Sequence, residues 1–442
     1  MAEVLRSVGL DVGTTSTQVI LSELTIENRS SAFSVPEMQI AARKILYKSP
    51  IHFTPLQGES QVDGAGIRRI VMAEYEKAGI CREQVDTGAI IITGETSRKE
   101  NAAAVLQSIS DLAGDFVVAT AGPDLESVLA AKGAGAVDFS ADTGKTVLHM
   151  DIGGGTSNLA FIENGRITAT GCLNVGGRLL KFDAQGAIIY ISPVLEGLFT
   201  GNIGETPTNE VLRALAETLV SALEMAAGLR PATPLLAQLW TKDAAMLPPI
   251  PPATVISFSG GVADCIETDH PPLAFGDIGP LLGNTIRRSL LCQGAYRLGA
   301  ETIRATVIGA GCHAAQLSGS TVYHRNIAFP LKNLPAVTEI TQLSALDGPG
   351  ILALSDHMPA HYEQLTALAE EIVRSWPQQP VLIALEADVA KALGHALALR
   401  LPADRPILCI DRVRLTEGSF LDVGAPVSTA LPVVIKTLIL NQ

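Results

Sequence analysis

The chain has 442 residues, a formal net charge of −13 and a hydrophobic fraction of 47%, with only 17% charged residues. This length favours two to four domains, and this composition suits large packed cores rather than disorder. The acidic balance, without a lysine and arginine cluster, argues against nucleic acid as a partner, because phosphate contacts dominate that affinity. No apolar run reaches the roughly 18 residues of a membrane span, and the N-terminal residues lack the apolar core of a signal peptide.

The spacing of cysteine and histidine indicates neither a disulfide framework nor a metal site. The six cysteines are far apart and form no CxxC motif, and the eight histidines show no HxxxH-type spacing. We therefore expect reduced, buried thiols. Together with the acidic composition, these features predict a cytoplasmic protein that binds neither nucleic acid nor a membrane.

The first predicted unit covers residues 1–140 and opens with a glycine-containing hairpin. The segment "GLDVGTTSTQVILSEL" (9–24) contains an apolar strand, an Asp-x-Gly turn, small hydroxyl residues and a second strand. Helices are predicted where apolar residues recur every three or four positions, and strands where short apolar runs lie between turn residues. The elements predicted on this basis are strands at 17–27, 41–48, 89–95 and 116–122 and helices at 63–78, 100–113 and 123–133.

The second predicted unit, residues 141–325, repeats this order. The segment "HMDIGGGTSNLAFIENG" (149–165) is the counterpart of the first hairpin, and Asp151 stands in it where Asp11 stands in the first. A later strand ends near Gly309 and Gly311, where we expect close helix packing. The other elements predicted in this unit are two strands joined by an Asn-Gly turn, a helix at 208–228, a strand after the Pro-rich stretch 246–254 and helical stretches at 278–299.

A third module, residues 326–442, is predicted because the pattern restarts. Its predicted elements are helices at 360–375 and 387–400, a strand at 380–386 and β segments at 405–415 and 418–440. Two β-β-β-α-β-α halves followed by this C-terminal α/β module make a duplicated α/β architecture. The ligand cleft of such a fold is expected between the two halves.

The two hairpins have the chemistry of a phosphate-binding site. Only glycine lets the backbone bend closely around a phosphate, and hydroxyl side chains beside the bend add hydrogen-bond donors. A carboxylate at the strand end can hold Mg²⁺ through water, because Mg²⁺ keeps most of its hydration shell. Two such hairpins facing each other would clamp a triphosphate. The residues that supply these groups are Asp11, Gly13, Thr14, Thr15, Asp151, Gly153, Gly154, Gly155 and Thr156.

Other nucleotide-binding motifs fit less well. A P-loop has a lysine after its glycines, and a dinucleotide fingerprint opens a helix; here no lysine follows and the next element is a strand. One Asp-x-Gly segment alone could be a tight β-turn, but two in register weaken that interpretation. At the end of another predicted strand, Gly260 and Gly261 offer bare backbone to adenosine or, alternatively, form a structural turn.

The order DxGTT, DxGGGT, SGG and GxG resembles the actin/Hsp70/hexokinase superfamily of ATP-binding proteins. Within it, "DIGGGTSNLAFIENG", "IRATVIGAGCHAAQLSGST" and "FPLKNLP" closely resemble the family of ethanolamine ammonia-lyase reactivating factors, and the similarity runs over nearly the whole chain. The resemblance implies a duplicated actin-like (ribonuclease H-like) ATPase fold with an inter-domain nucleotide cleft and a C-terminal α/β module.

The resemblance also implies a function closer to that of a chaperone than to that of a metabolic enzyme. Such a factor is a slow Mg²⁺-dependent ATPase that releases damaged cobalamin from ethanolamine ammonia-lyase, so that intact adenosylcobalamin can bind. The lyase is then the client, and the coenzyme is exchanged on the client rather than held by this chain. An association with the ethanolamine utilisation microcompartment is left open.

Two carboxylates and two glycines receive roles from the resemblance. Asp11 and Asp151 would hold hydrated Mg²⁺, beside phosphates bound by the glycine amides and the neighbouring threonines. Gly260 and Gly261 would face adenosine.

A water-positioning carboxylate is also implied near the start of the helix at 123–133. Glu126 has the best spacing for this role, and a solvated acid on a helix face is the alternative. Glu95 and Asn158 are further candidates for the cleft. Asn158 stands where Hsp70-like members often carry aspartate, so the loss of that charge implies slow hydrolysis.

Three other functions are compatible with the same fold. A small-molecule kinase would use Glu95 or Glu126 as a base and would transfer phosphate to a metabolite. A filament-forming relative of actin would sediment in a nucleotide-dependent way. A nucleotide-sensing scaffold would bind ATP without turning it over.

Overall fold

The computed structural model describes residues 3–13, 16–28, 38–57, 61–92, 105, 109, 123–242, 244–313, 316–318, 321–354, 362–376, 380–415, 419–426 and 430–437. Three predicted site residues, Thr14, Thr15 and Glu95, lie outside these ranges, as do the predicted strand at 116–122 and most of the predicted helix at 100–113. Among the described helices, none is both long enough and apolar enough to cross a membrane.

The first sheet has the strand order β3-β2-β1-β7, with β4 paired to β2. Strands β1 to β3 are antiparallel, and β7 runs parallel to β1. Helix α1 packs on one face through Ile67, Val71 and Tyr75, whose four-residue spacing places them on one side of the helix. The elements are β1 Glu3–Val12, β2 Ser16–Asn28, β3 Met38–Lys48, β4 His52–Phe53, β5 Leu56–Gln57, β6 Gln61–Val62, α1 Gly64–Lys77 and β7 Thr87–Ile92, followed by α2 Pro123–Gly133 and α3 Ala136–Thr143.

The second sheet repeats this topology with the strand order β10-β9-β8-β13-β14. Strands β8 to β10 are antiparallel, and β13 runs parallel to β8, as β7 does to β1. The largest hydrophobic core of the chain lies between this sheet and α4. The elements are β8 Val147–Ile152, β9 Ser157–Glu163, β10 Arg166–Leu173, β11 Leu180–Phe182, β12 Ile188–Ile191, α4 Asn209–Ala226, α5 Pro234–Leu239, β13 Val255–Ser259, α6 Asp264–Glu267, α7 Gly279–Arg288, β14 Tyr296–Leu298 and α8 Ala305–His313.

Helices α2 and α8 cross each other between the two sheets. α2 follows the first half in sequence but packs on β8, β9 and β10, whereas α8 follows the second half and packs on β1, β2 and β7. Glycines permit the close approach: a Cβ atom on Gly133 would lie 1.9 Å from the carbonyl oxygen of Ala305, and one on Gly309 would lie 2.0 Å from that of Leu129. The predicted duplicated α/β fold and the packing role of Gly309 are confirmed.

Two predictions for the second half are wrong in their element type. Residues Ala305–His313, predicted to include a strand end, form helix α8. The apolar run resembles a buried strand. Its two glycines instead allow close packing of a helix, Gly309 against Leu129 of α2 and Gly311 against Gly9 of β1. The helical stretches predicted at 278–299 end at Arg288, and the remainder contains a short 3₁₀ turn and the strand β14.

The C-terminal sheet has eight strands in the order β15-β22-β21-β17-β18-β19-β20-β16. Strands β17 to β20 are parallel, and α9 and α10 pack on one face. Two of its strands precede residue 326, while the division of the chain at 140 and 325 stays a prediction. The elements are β15 Gln316–Leu317, β16 Tyr323–Arg325, β17 Leu331–Val337, β18 Ile351–Leu354, α9 Tyr362–Ser375, β19 Val381–Leu385, α10 Ala390–Ala398, β20 Ile407–Ile410, β21 Ser419–Val423 and β22 Pro432–Thr437.

The six cysteines are all free, as predicted. Burial was predicted for each of them and holds for four. Cys81 is exposed because it lies in the turn after α1, and Cys292 is half-buried.

A buried carboxyl, Asp411, lies beside the exposed Asp388 at the carboxyl edge of the C-terminal sheet. The hydroxyl of Thr321 lies 2.6 Å from Asp411 Oδ2 and 2.8 Å from Asp388 Oδ1. Burial and a hydrogen bond with Asp388 raise the pKa of Asp411 to about 6, while the bond with Asp411 and the neighbouring Arg412 lower the pKa of Asp388.

We expect the stability of the C-terminal module to fall less with rising pH in Asp411→Asn than in the parent. A carboxyl whose pKa is raised by folding stabilises the fold below its unfolded pKa, near 4, and loses that contribution as the pH rises through its folded pKa, near 6. Asparagine cannot ionise, so the free energy of unfolding of the variant relative to the parent should rise by on the order of 2 kcal/mol between pH 4 and pH 8.

The measurement is urea denaturation followed by fluorescence of Trp376, which is buried in this module. A Trp240→Phe background removes the only other tryptophan. Asp404→Asn, at an exposed acid of the same module, is the matched control. Parallel pH profiles for Asp411→Asn and the parent would contradict the prediction.

Candidate functional site

The two Asp-x-Gly segments form equivalent hairpin turns. In each turn, the backbone N–H of the glycine donates to a carbonyl oxygen three residues further on: Gly13 to Ser16 and Gly153 to Thr156, both at 2.9 Å. The repeat seen in the sequence, Asp11 to Asp151, is therefore accompanied by the same backbone hydrogen bond in both turns.

Cross-strand pairing follows the same repeat. Asp11 lies opposite Gln18 in the first hairpin, and Asp151 lies opposite Asn158 in the second. Both amide side chains are buried, and the Nε2 group of Gln18 donates to the carbonyl of Ile303 at 3.4 Å, so it links the first sheet to the segment that precedes α8. The structure thus places both predicted aspartates at corresponding strand ends.

The glycine loop at 153–155 is open on its outer side. Among the described residues, a Cβ atom on Gly155 would meet no atom within 4 Å, and one on Gly153 would meet the carbonyl oxygen of Thr156, at 3.6 Å. A Cβ atom on Gly154 would lie 3.4 Å from the side chain of Arg178. None of the three glycines has a positive φ. Neither the backbone conformation nor packing against the described part of the chain therefore requires glycine at these positions.

A second pair of glycines supports this loop from its inner side. The N–H of Gly177 donates to the carbonyl of Gly153 at 3.0 Å, and that of Arg178 donates to the carbonyl of Gly154 at 2.6 Å. A Cβ atom on Gly176 would lie 2.3 Å from the carbonyl oxygen of Gly154. The segment after β10 therefore fixes the loop by backbone contact.

Asp151 is a buried carboxylate bonded by hydroxyl groups. Ser259 donates to its Oδ1 and Thr306 donates to its Oδ2 at 3.4 Å. Burial raises the pKa of Asp151 to about 6, against the lowering effect of these two hydroxyls. Within the described part of the chain, no positive side chain takes part in these contacts. A cation would therefore stabilise this carboxylate in its ionised form.

Glu126 lies in the interior, in the first turn of α2. It is 8% exposed, and its Oε2 accepts a hydrogen bond of 2.8 Å from the Nδ2 group of Asn158. This burial rules out the solvated helix-face acid that was the alternative for Glu126. Because Asn158 lies opposite Asp151, Glu126 and Asn158 belong to the same polar interior as Asp151.

The two glycines of "SFSGG" differ in their surroundings. Gly260 has a φ of +87°, and a Cβ atom on it would lie 2.3 Å from the carbonyl oxygen of Ile152. Glycine is thus required there by the fold. Gly261 has open space beside it, with the nearest atom of Ile303 at 3.8 Å. The helix that follows this pair, α6, is the short segment Asp264–Glu267.

Several residues of this site were not predicted from the sequence. They are Gln18, His149, Ser257, Ser259 and Thr306, and each lies far in sequence from the group it contacts. One signal was available, because the serines of "VISFS" alternate with large apolar residues and so share one face of β13.

Comparison with known proteins covers nearly the entire chain. The family model described as "Ethanolamine utilisation protein EutA" matches residues 3–348 and 341–441. Two curated proteins named ethanolamine ammonia-lyase reactivase EutA, from Salmonella typhimurium and Escherichia coli, are each 37% identical over 466 residues, covering 98% of this chain and 98% of the relative. A crystal structure of the Aquifex aeolicus member of the Ppx/GppA family covers 70% of this chain and 97% of its own, at 14% identity and a TM-score of 0.40.

The family match and the two relatives confirm the resemblance predicted from the ordered motifs. Their coverage includes both hairpins and the C-terminal sheet. The chain belongs to the EutA family of ethanolamine utilisation proteins.

Proposed function

We propose that this chain is an ATP-dependent reactivating factor for ethanolamine ammonia-lyase. The observation that carries the proposal is the 37% identity over 98% of the chain to two proteins named as reactivases of that lyase. In this proposal, the chain acts on the lyase so that damaged cobalamin leaves and intact adenosylcobalamin binds. The coenzyme is exchanged on the lyase, and this chain holds none of it.

The geometry of the hairpins supports a nucleotide site. Each glycine turn lies beside a strand-end aspartate, and the N–H of Gly13 or Gly153 closes the turn. The N–H groups of Gly154 and Gly155, further along the second turn, are the proposed donors to phosphates. Within the ranges that the structure describes, no atom lies within 4 Å of a Cβ atom placed on Gly155, and its backbone conformation does not call for glycine. Gly261, which is also open, is the better candidate of its pair for contact with adenosine. We propose the same phosphate-binding role for Thr14, Thr15 and Thr156.

The carboxylates fit a hydrated Mg²⁺ ion. Among the residues that the structure describes, no three His, Cys, Asp or Glu side chains form a cluster able to hold a metal ion by themselves. Mg²⁺ usually keeps several waters and needs only one or two carboxylates. Asp151 is buried and, among the described residues, accepts hydrogen bonds from two hydroxyls. It would hold the ion together with Asp11 at the equivalent strand end, and the ion would neutralise charge on the phosphates.

Glu126 is proposed to position the water that attacks the terminal phosphate. Its hydrogen bond with Asn158 fixes its orientation on the side of Asp151. Asn158 is neutral, so it adds no charge to the metal environment, and we expect slow hydrolysis. Slow turnover suits a conformational switch. Glu95 remains a further candidate for the cleft.

The crossed helices provide a route from the site to the rest of the molecule. Thr306 of α8 contacts Asp151, and Glu126 of α2 contacts Asn158, so both helices that lie between the sheets touch the site. A ligand shifts such an arrangement only by its difference in affinity for the open and closed states. We propose that the angle between the halves is what the client lyase senses.

The test is a rescue assay. Ethanolamine ammonia-lyase is blocked with a cobalamin that lacks the adenosyl group, and then receives this protein, adenosylcobalamin, Mg²⁺ and ATP. Recovery of deamination that depends on both ATP and this protein supports the proposal. Binding of ATP without recovery would contradict it, and phosphate transfer to a small metabolite would support the kinase function instead. Fractionation of the source cells would test the proposed cytoplasmic location and any association with the microcompartment.

A further inference from the structure

A line of buried polar side chains runs from the interior of the second sheet to Asp151. β8 and β13 are parallel, with His149 opposite Ser257 and Asp151 opposite Ser259. Alternate residues of a strand share a face, so these four side chains are neighbours on one side of the sheet. His149, Ser257 and Ser259 are fully buried, and Asp151 is 7% exposed.

Hydrogen-bond distances connect these side chains into a chain. His149 Nδ1 lies 3.1 Å from the hydroxyl of Ser257, and its Nε2 lies 2.9 Å from the hydroxyl of Ser259. The hydroxyl of Ser259 in turn contacts Asp151 Oδ1.

The direction of each hydrogen bond follows from the carboxylate. An ionised carboxylate only accepts, so Ser259 donates to Asp151, and its oxygen must then accept from the Nε2–H group of His149. A neutral imidazole has one N–H, which leaves Nδ1 as the acceptor for Ser257. The ring is fully buried, and the described partners of its two nitrogens are the hydroxyls of Ser257 and Ser259, which suit the neutral form. The sequence of donors is Ser257 to His149, His149 to Ser259 and Ser259 to Asp151.

The first half of the chain has no such arrangement at the equivalent positions. The repeat that relates Asp11 to Asp151 places Gly9 where the second half has His149. The strand parallel to β1 places Ala89 opposite Gly9 and Ile91 opposite Asp11. None of these three residues, Gly9, Ala89 and Ile91, has a side chain that forms hydrogen bonds. The chain of donors is therefore a property of Asp151 and not of the repeat.

We propose that His149 is a positioning residue for Asp151 and acts through Ser259. By donating to the serine oxygen, His149 directs the serine proton to Asp151 Oδ1 and fixes the orientation of the carboxylate. The Oδ2 atom, whose contact among the described residues is the 3.4 Å one with Thr306, is then left to face a cation. This role rests on the proposed function of Asp151 as a magnesium carboxylate.

The experiment compares His149→Leu, which removes both hydrogen bonds, with His149→Gln, which keeps one donor and one acceptor. The affinity for a non-hydrolysable ATP analogue is measured with Mg²⁺ and with a chelator. The readout is the affinity with Mg²⁺ divided by the affinity with the chelator. Partners that orient a metal ligand typically contribute 10-fold or more to metal affinity, so the ratio should fall by about tenfold in His149→Leu. It should stay near the parent value in His149→Gln.

A purely structural role for His149 would change both affinities together and leave the ratio constant, which would overturn the proposal. An equal loss in the two His149 variants would also overturn it, because packing would then be the cause. Ser140→Ala, at a buried serine in α3 whose hydroxyl donates to Lys145, controls for the cost of removing a buried hydrogen bond. If His149→Leu does not fold, Ser259→Ala tests the same step and should show the same loss.

The tautomer of His149 provides a readout that needs no ligand. In ¹⁵N spectra of the free protein, assigned by comparison with His149→Gln, we expect a proton on Nε2 and none on Nδ1. A proton on Nδ1 would overturn the proposal, whether or not the chain binds nucleotide. A parent protein whose nucleotide affinity does not respond to Mg²⁺ would instead overturn the proposed magnesium site, and this role with it.

Discussion

Asp151→Asn is expected to abolish ATP-dependent reactivation while the fold survives. Asparagine keeps the shape of the side chain and can still accept from Ser259, but it removes the negative charge that would hold Mg²⁺. Loss of one electrostatic group at a reacting phosphate costs about a hundredfold or more in rate. Burial raises the pKa of Asp151 to about 6, so its charge is unfavourable in the protein without a cation, and the variant should be at least as stable as the parent.

The measurement has two parts. ATP hydrolysis and lyase rescue are followed in the variant, and its denaturation midpoint is compared with that of the parent. Glu163→Gln, at an exposed acid at the end of β9 in the same sheet, is the matched control and should change neither quantity. Unchanged ATP hydrolysis in Asp151→Asn would exclude the proposed role of this carboxylate.

Gly155→Val is expected to weaken nucleotide binding at least tenfold with little effect on stability. The Cβ of the added side chain has no atom of the described residues within 4 Å, and the backbone has no positive φ to oppose the substitution. The branched side chain would instead occupy the space in which a phosphate approaches the N–H groups of the loop. The change in the free energy of unfolding should stay within about 0.5 kcal/mol, as for other surface substitutions.

Nucleotide affinity and a denaturation curve, measured on the same preparation, check this result. Gly294→Val is the control, because Gly294 also has open space beside it but lies away from both hairpins, in the turn before β14. Gly176→Val is the contrasting variant, since its Cβ would lie 2.3 Å from the carbonyl oxygen of Gly154 and should destabilise the fold. Full nucleotide affinity in Gly155→Val would show that the loop does not contact phosphate.

The repeated hairpins could be predicted because their signal is local. An apolar strand, an Asp-x-Gly turn and a second strand follow one another directly in the sequence, and the hydrogen bond that closes each turn, from Gly13 or Gly153, joins residues only three positions apart. Helices α1 and α4 were predicted within a few residues for the same reason. The segment that forms α8 was misjudged because its conformation depends on α2, which lies far earlier in the chain.

The site was predicted in part for the same physical reason. Asp11, Asp151 and the glycine loop carry their chemistry in the motif itself. The contacts of Asp151 with Ser259 and Thr306 join distant parts of the sequence, and only the parallel pairing of β13 with β8 and the packing of α8 bring them together. Unless the order and register of the strands are known, the sequence does not show which of two distant residues face each other.

Because α2 and α8 are exchanged between the two sheets, we expect the two halves to fold as one unit, despite their internal repeat. Each half would leave a sheet face bare if the chain were cut between α3 and β8, because the helix that covers that face belongs to the other fragment. Neither fragment can therefore bury its own polar and apolar surface alone, whereas the two together can. The two halves repeat the same topology, but each depends for its stability on a helix that the other half supplies.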